Sequence, residues 1–181
     1  MLLLRGESMK AICCACLLLS ASFALAQQSS NPVTDSVKLI MQRQAKNLPA
    51  AVDEMPADKF SFKPTPQQEP FAHVAVHVTE SNYLLCSKLG TAPAPPKEEL
   101  TDTTPKEHLV TAMKASFDYC GKALDGFNDS HLGEEAEFYG RKATKATALF
   151  FMVGGWSDHY AQAAMYLRLN GLLPPTAKPA K

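Results

Sequence analysis

The sequence predicts an all-α four-helix bundle, on three observations. Four segments carry apolar residues at the i, i+3, i+4, i+7 spacing of one helical face. Proline- and glycine-bearing stretches separate them, and no run alternates well enough to make a convincing strand. With 181 residues, 46% hydrophobic and 20% charged, the composition suits one folded core.

Ahead of the bundle, Lys10 precedes the apolar run AICCACLLLSASFALA, and Ala24-Leu25-Ala26 is a small-x-small pattern before Gln27 and Gln28. This is the pattern of a secretory signal over residues 1–26, cleaved after Ala26, with Met9 a better start than Met1. The run is short for a membrane span, so no stable membrane insertion is expected after cleavage. Removing Arg5, Glu7 and Lys10 with the signal leaves a net charge of −1 on the remainder. No basic field exists to hold nucleic-acid phosphates, which excludes that class of partner. Cys13, Cys14 and Cys16 leave with the signal too, so Cys86 and Cys120 remain as an even pair in an oxidising compartment. A disulfide and two separate core thiols are both open on counting alone.

The first helix is expected from Asp35 to Met55, with capping candidates between Asn31 and Asp35 and a stripe through Val37, Ile40, Met41, Gln44, Leu48, Ala51 and Val52. Pro49 should kink or divide it. The following MPADKFSFKPTP cannot continue a helix, and its Phe60 and Phe62 are expected to tuck under the bundle. The second helix starts near Pro70 and stops at Gly90. One stripe reads Val74, Val78, Ser81, Leu85; the adjoining one reads His73, His77, Glu80, Leu84. Thr104-Pro105 opens the third helix, whose stripe runs from Leu109 through Met113, Ser116, Phe117, Cys120 and Leu124 to Phe127. A polar, glycine-punctuated connection from His131 to Lys142 leads to the fourth helix, Thr144 to Asn170, about 40 Å long and stopped by Gly171 and Pro174-Pro175. Its face carries Leu149, Met152, Trp156, His159, Tyr160, Ala163 and Leu167. The bundle is therefore assigned to residues 27–175, with a disordered tail from 176 to 181.

The cysteines constrain topology. Each lies about fifteen residues into its helix, so parallel second and third helices put them at one height, whereas an antiparallel hairpin offsets them by about 16 Å, too far for a disulfide. The linker from Thr91 to Thr104 can reach back about 46 Å when extended. One long crossover between helices two and three is therefore expected.

MPADKFSFKPTP, FAHVAVHVTESNYLLCSKL, SFDYC and YGRKATKATALFFMVGGWSDHYAQAAMYLRLNGLLPP together resemble the DinB-like superfamily (DinB/YfiT-like metalloenzyme bundles), related in fold to bacillithiol- and mycothiol-dependent enzymes. The resemblance covers nearly all of the chain after the signal. It implies an up-down-down-up bundle and a divalent ion (zinc, nickel or manganese) held by three histidines, one on the second helix and two spaced His-x-x-x-His on the fourth. His77 matches the first ligand and His159 the last, but Gly155 stands where the middle one is expected. His73, one turn before His77, is the best replacement. Glu80, one turn after it, is a weak candidate for a base or a hydrogen-bond partner of the ligand ring. Asp158 points away from His159's direction, His108 falls near the height of His73 in parallel helices, and His131 reads as a solvent-exposed loop residue. Gly154-Gly155 reads either as an opening for a ligand or as close packing against a neighbour, the second being favoured slightly.

Two functions are expected from these residues. One is an exported metal-dependent hydrolase or transferase with an incomplete histidine site, cytosolic thiol cofactors being scarce outside the cell. The other is a non-catalytic exported bundle that binds a small ligand or a protein partner. A homodimer is expected because related bundles often pair. No Gly-x-Ser-x-Gly elbow or glycine-rich phosphate loop offers another chemistry.

Overall fold

The computed structural model describes residues 29–96 and 98–179, so the expected signal, Lys97 and the last two residues lie outside the described part. The compact unit that carries the bundle begins at Val33. Four helices dominate: α1 (Pro32–Glu54), α2 (Phe71–Ser87), α3 (Lys106–Asp125) and α4 (Lys145–Leu169). An antiparallel hairpin, β1 (Glu135–Phe138) and β2 (Arg141–Thr144), precedes α4.

Helix directions are fixed by side-chain pairs. Between α2 and α3 the residue numbers rise together, from Asn82 against Ser116 to Cys86 against Cys120, so these helices run parallel. The cysteines form a disulfide with Cα atoms 5.2 Å apart, a separation that equal heights in parallel helices allow. Between α2 and α4 the numbers run oppositely: Cys86 lies against Met152, Asn82 against Trp156, His77 against His159. Helix α1 runs against α3, with ion pairs Lys38–Asp125 near one end and Lys106–Asp53 near the other. The core between them is filled by Leu48, Met55, Phe71, Leu109, Met113, Leu124, Leu149, Met152 and Leu167, all essentially sealed from solvent. Burial of such side chains stabilises by about 1.5–3 kcal/mol each.

Local chemistry sets the helix ends. The first backbone N–H groups of α1, at Val33 and Thr34, donate to the carboxylate of Asp129, 2.9 Å away, so a residue from the short turn after α3 caps this helix. Against the opposing effect of burial, a further bond from the Thr34 hydroxyl and these two backbone bonds hold the Asp129 carboxyl below its ordinary pKa. Pro70 and Pro105 sit immediately before α2 and α3, and Gly171 leaves α4 at φ 75°, a left-handed turn that glycine adopts without strain. Phe60 and Phe62 pack edge-on against Phe71 and Tyr166, as expected of that loop.

Three expectations change. Helix α1 is not divided at Pro49, which is buried inside one continuous element. The connection before α4 is not a plain loop. Ala136 and Phe138 alternate inward with exposed Glu135 and Glu137, and Glu137 pairs with Lys142 across the strands. Positive φ at both Tyr139 (50°) and Gly140 (74°) makes the tight two-residue turn whose twist suits a hairpin. Four-residue strands with a tyrosine where asparagine is usual make too weak a pattern to read. Finally, Thr176 to Lys178 do not form a disordered tail. Pro175–Ala177 is a short helical turn, Tyr160 donates its hydroxyl proton to Thr176 at 2.8 Å, and Lys178 pairs with Glu54.

Candidate metal centre

The histidine stripe of α2 faces α4 because Val74, Val78 and Leu85 on the adjoining stripe go into the core. His77 meets His159 edge to face, ring centres 4.7 Å apart. His73, one turn earlier on α2, has its ring centre 6.0 Å from that of His77. The His159 side chain is only 18% exposed, and its Nδ1 is buried with no hydrogen-bond partner; the nearest carboxylate, Asp158, is 3.9 Å away.

Burial of His159 lowers its pKa, helped by the nearby His77 and opposed by Asp158 and Gln162. The more exposed His77 is also lowered, first by partial desolvation and then by His73, with Glu80 pulling the other way. Both shifts favour the neutral imidazole, the form with a lone pair to offer a cation.

Trp156 supports this arrangement from one turn earlier on α4. Its indole N–H donates to Asn82 Oδ1 at 2.6 Å, the Asn82 amide donates to Ser116 Oγ at 2.9 Å, and Ser116 donates to the Met113 carbonyl at 2.8 Å. This buried chain ties α2, α3 and α4 together just below the histidines. Ser116 stands on the stripe expected of the third helix; Asn82 carries no sequence signal, since a lone asparagine in a helix reads as solvent-facing.

His73 has a separate environment. Its Nδ1 lies 3.1 Å from Asp102 Oδ1 in the linker before α3. Among the described residues, Glu69, His73 and Asp102 bring three potential ligand atoms within 4.8 Å of one another. Glu69 is a near neighbour of His73 in the chain, but Asp102 is invisible from sequence because only the crossover carries it to His73. The other candidates lie elsewhere: His108 pairs with Glu98, His131 with Glu134, and Asp158 accepts from Gln162. His131 is half-exposed and also lies against Phe127 rather than free in solvent.

Gly155 opens the site instead of tightening it. A Cβ built there meets nothing within 4 Å, and the same holds at Gly154, so close packing is not why the glycines are present. Gly155 lines a cleft of about 230 Å³ between α2 and α4 with His77, Trp156 and His159. A second cleft, of about 430 Å³, exposes His73, His77 and His159 beside Glu69 and Tyr166. A third, of about 390 Å³, runs from His77 past Glu80 towards the linker and the hairpin tip. His77 borders all three.

No curated protein matches the chain. Solved structures do. A DinB-like protein from Bacillus subtilis, YjoA, matches with a TM-score of 0.63 at 18% identity, over 80% of this chain and 99% of that one. A DinB-like protein from Bacillus cereus gives 0.61 at 17%, over 75% and 93% of the two chains. A conserved protein from Enterococcus faecalis gives 0.59 at 15%, over 75% and 95%. At these identities the likeness shows the fold. The family model of the DinB superfamily matches residues 40–163, which contain α2, α3, the hairpin and both His77 and His159, and the chain belongs to that superfamily.

Proposed function

We propose that this is an exported DinB-like protein that binds a divalent cation (zinc, nickel or manganese) through His77 and His159 and performs hydrolase or transferase chemistry there. The observation that carries the proposal is the edge-to-face contact of the His77 and His159 imidazoles, the second of which has a buried Nδ1 with no hydrogen-bond partner. A buried polar nitrogen without a partner is costly unless something fills that role.

His73 is the third ligand in this reading. Asp102 accepting from Nδ1 fixes the tautomer that leaves the Nε2 lone pair free, the usual carboxylate support of a ligating histidine. With Gly155 offering no side chain, a third imidazole from α2 brings the donor set to the three that catalytic sites commonly use. A bound cation would lower the pKa of a coordinated water or thiol and so supply a nucleophile at neutral pH. Glu80, exposed one turn beyond His77, is placed to take a proton or to orient the His77 ring. Export is supported by the Cys86–Cys120 disulfide, which persists in oxidising compartments. No helix of the described residues is long and apolar enough to cross a membrane.

Thermal melts of the tag-free, metal-stripped protein with added zinc, nickel or manganese test the proposal. The expected result is stabilisation by at least one ion, lost in His77→Ala and in His159→Ala and reduced in His73→Ala. Equal stabilisation of wild type and His77→Ala would overturn it.

A further inference from the structure

The cleft of about 390 Å³ beside the histidines has the size of a small-molecule site and a lining the metal reading does not use. One wall is α2, with Tyr83 and Leu84; the other is the proline-rich linker, with Pro95, and the hairpin tip with Tyr139. Two carboxylates, Glu80 and Glu98, stand at its edge. None of the described residues lining this cleft or the Gly155 cleft is a lysine or arginine. The two clefts meet at His77, Ser81 and Tyr139.

Tyr139 is the unusual member. It is a bulky residue at φ 50°, a backbone region that costs energy for any side chain with a Cβ, in a turn position that asparagine or glycine fills more easily. The residue nevertheless remains 63% exposed, and its ring leans edge-on against Phe151, itself 50% exposed, at a centroid distance of 6.4 Å. An aromatic held in strain at the mouth of an apolar cleft, facing solvent rather than core, fits a ligand contact better than a packing role.

We propose that this cleft binds an amphipathic organic cation, an amine attached to an apolar or aromatic body. The tyrosine faces and the carboxylates attract the ammonium group, and Leu84 and the prolines take the hydrocarbon. Aromatic rings and acidic groups around a cleft whose described lining holds no lysine or arginine discriminate by charge: an amine gains cation–π and ionic attraction, a neutral isostere gains neither, and an anion is repelled. Glu98 also pairs with His108, so Glu80 is the carboxylate more available to the ligand. The proposal shares His77 with the metal centre but does not need the ion.

Isothermal titration with phenylbutylamine, phenylbutanol and phenylbutyrate tests it, in EDTA and again with zinc. The amine is expected to bind at least about tenfold more tightly than the alcohol, with the carboxylate weakest, in both buffers. Glu80→Gln/Glu98→Gln should bring the amine to within about threefold of the alcohol, and Tyr139→Ala should weaken the amine by about fivefold or more. All these positions are at the surface, and an unchanged melting temperature will confirm intact folding. Absence of amine binding at millimolar concentration, a preference for the alcohol or the carboxylate, or an amine preference that survives the double substitution would overturn the proposal. Amine binding in EDTA combined with no response to any metal would defeat the metal reading alone.

Discussion

His159 and Gly155 decide the chemistry at the scale of single residues. The folded-state pKa of both His159 and His77 lies below the ordinary histidine value of 6.5. Below that value the unfolded chain binds protons that the folded chain refuses, so stability rises with pH through the window beneath 6.5 and is lost as pH falls. Thermal melts between pH 7.5 and pH 5 should show this loss, and His159→Asn should flatten it. Glu134 shifts in the same sense over a lower window: hydrogen bonds from His131 and Lys145 lower its carboxyl to about 2, so its contribution is present above the ordinary carboxylate range and is lost as pH falls through that range. Gly155→His is the complementary test. Nothing lies within 4 Å of the new Cβ, so the substitution should not lower the melting temperature and should gain a few tenths of a kcal/mol in helix propensity. Titration should show zinc affinity rising about tenfold or more, the scale on which even indirect partners of a ligand act. The absence of a histidine at position 155 is legible in the sequence; that the space for it is open is not, because emptiness depends on where α2 passes.

Among the elements, helices are legible and their partners less so. The apolar stripe of α4 reads directly from Leu149, Met152, Trp156 and Leu167, because a period of 3.6 is written into one segment. The cap on α1 is not local: Asp129 supplies it from ninety-five and ninety-six positions away, and no local pattern announces such a bond. The hairpin escapes notice for a related reason, as its four-residue strands offer only two inward residues on β1, Ala136 and Phe138. Asn82 shows what this hidden layer does. It accepts from Trp156 and donates to Ser116, so Asn82→Ala leaves a buried indole N–H without its partner. Chemical denaturation should record a loss of about 1–3 kcal/mol. Asn82→Ala should also weaken metal binding, because Trp156 sits one turn before His159.

Across the whole molecule, one covalent bond sets the arrangement that makes the site. Cys86 and Cys120 are legible as partners only in parallel helices, and the structure has both the bond and the parallel pair. The disulfide closes a loop with a sequence separation of 34, for which chain entropy gives about 4 kcal/mol of stabilisation. Urea unfolding with and without reductant should differ by roughly that amount, and Cys86→Ala/Cys120→Ala should match the reduced protein. The parallel pairing also brings Asp102 to His73, so the crossover shapes the candidate metal centre as well as the fold. The central claim is that His77 and His159 hold a cation, and elemental analysis of protein purified without a histidine tag measures it most directly. About one zinc, nickel or manganese ion per chain is expected after mild reloading, and near zero in His77→Ala. Less than about one-tenth of an ion per chain, with no recovery on adding any of the three metals, would contradict it.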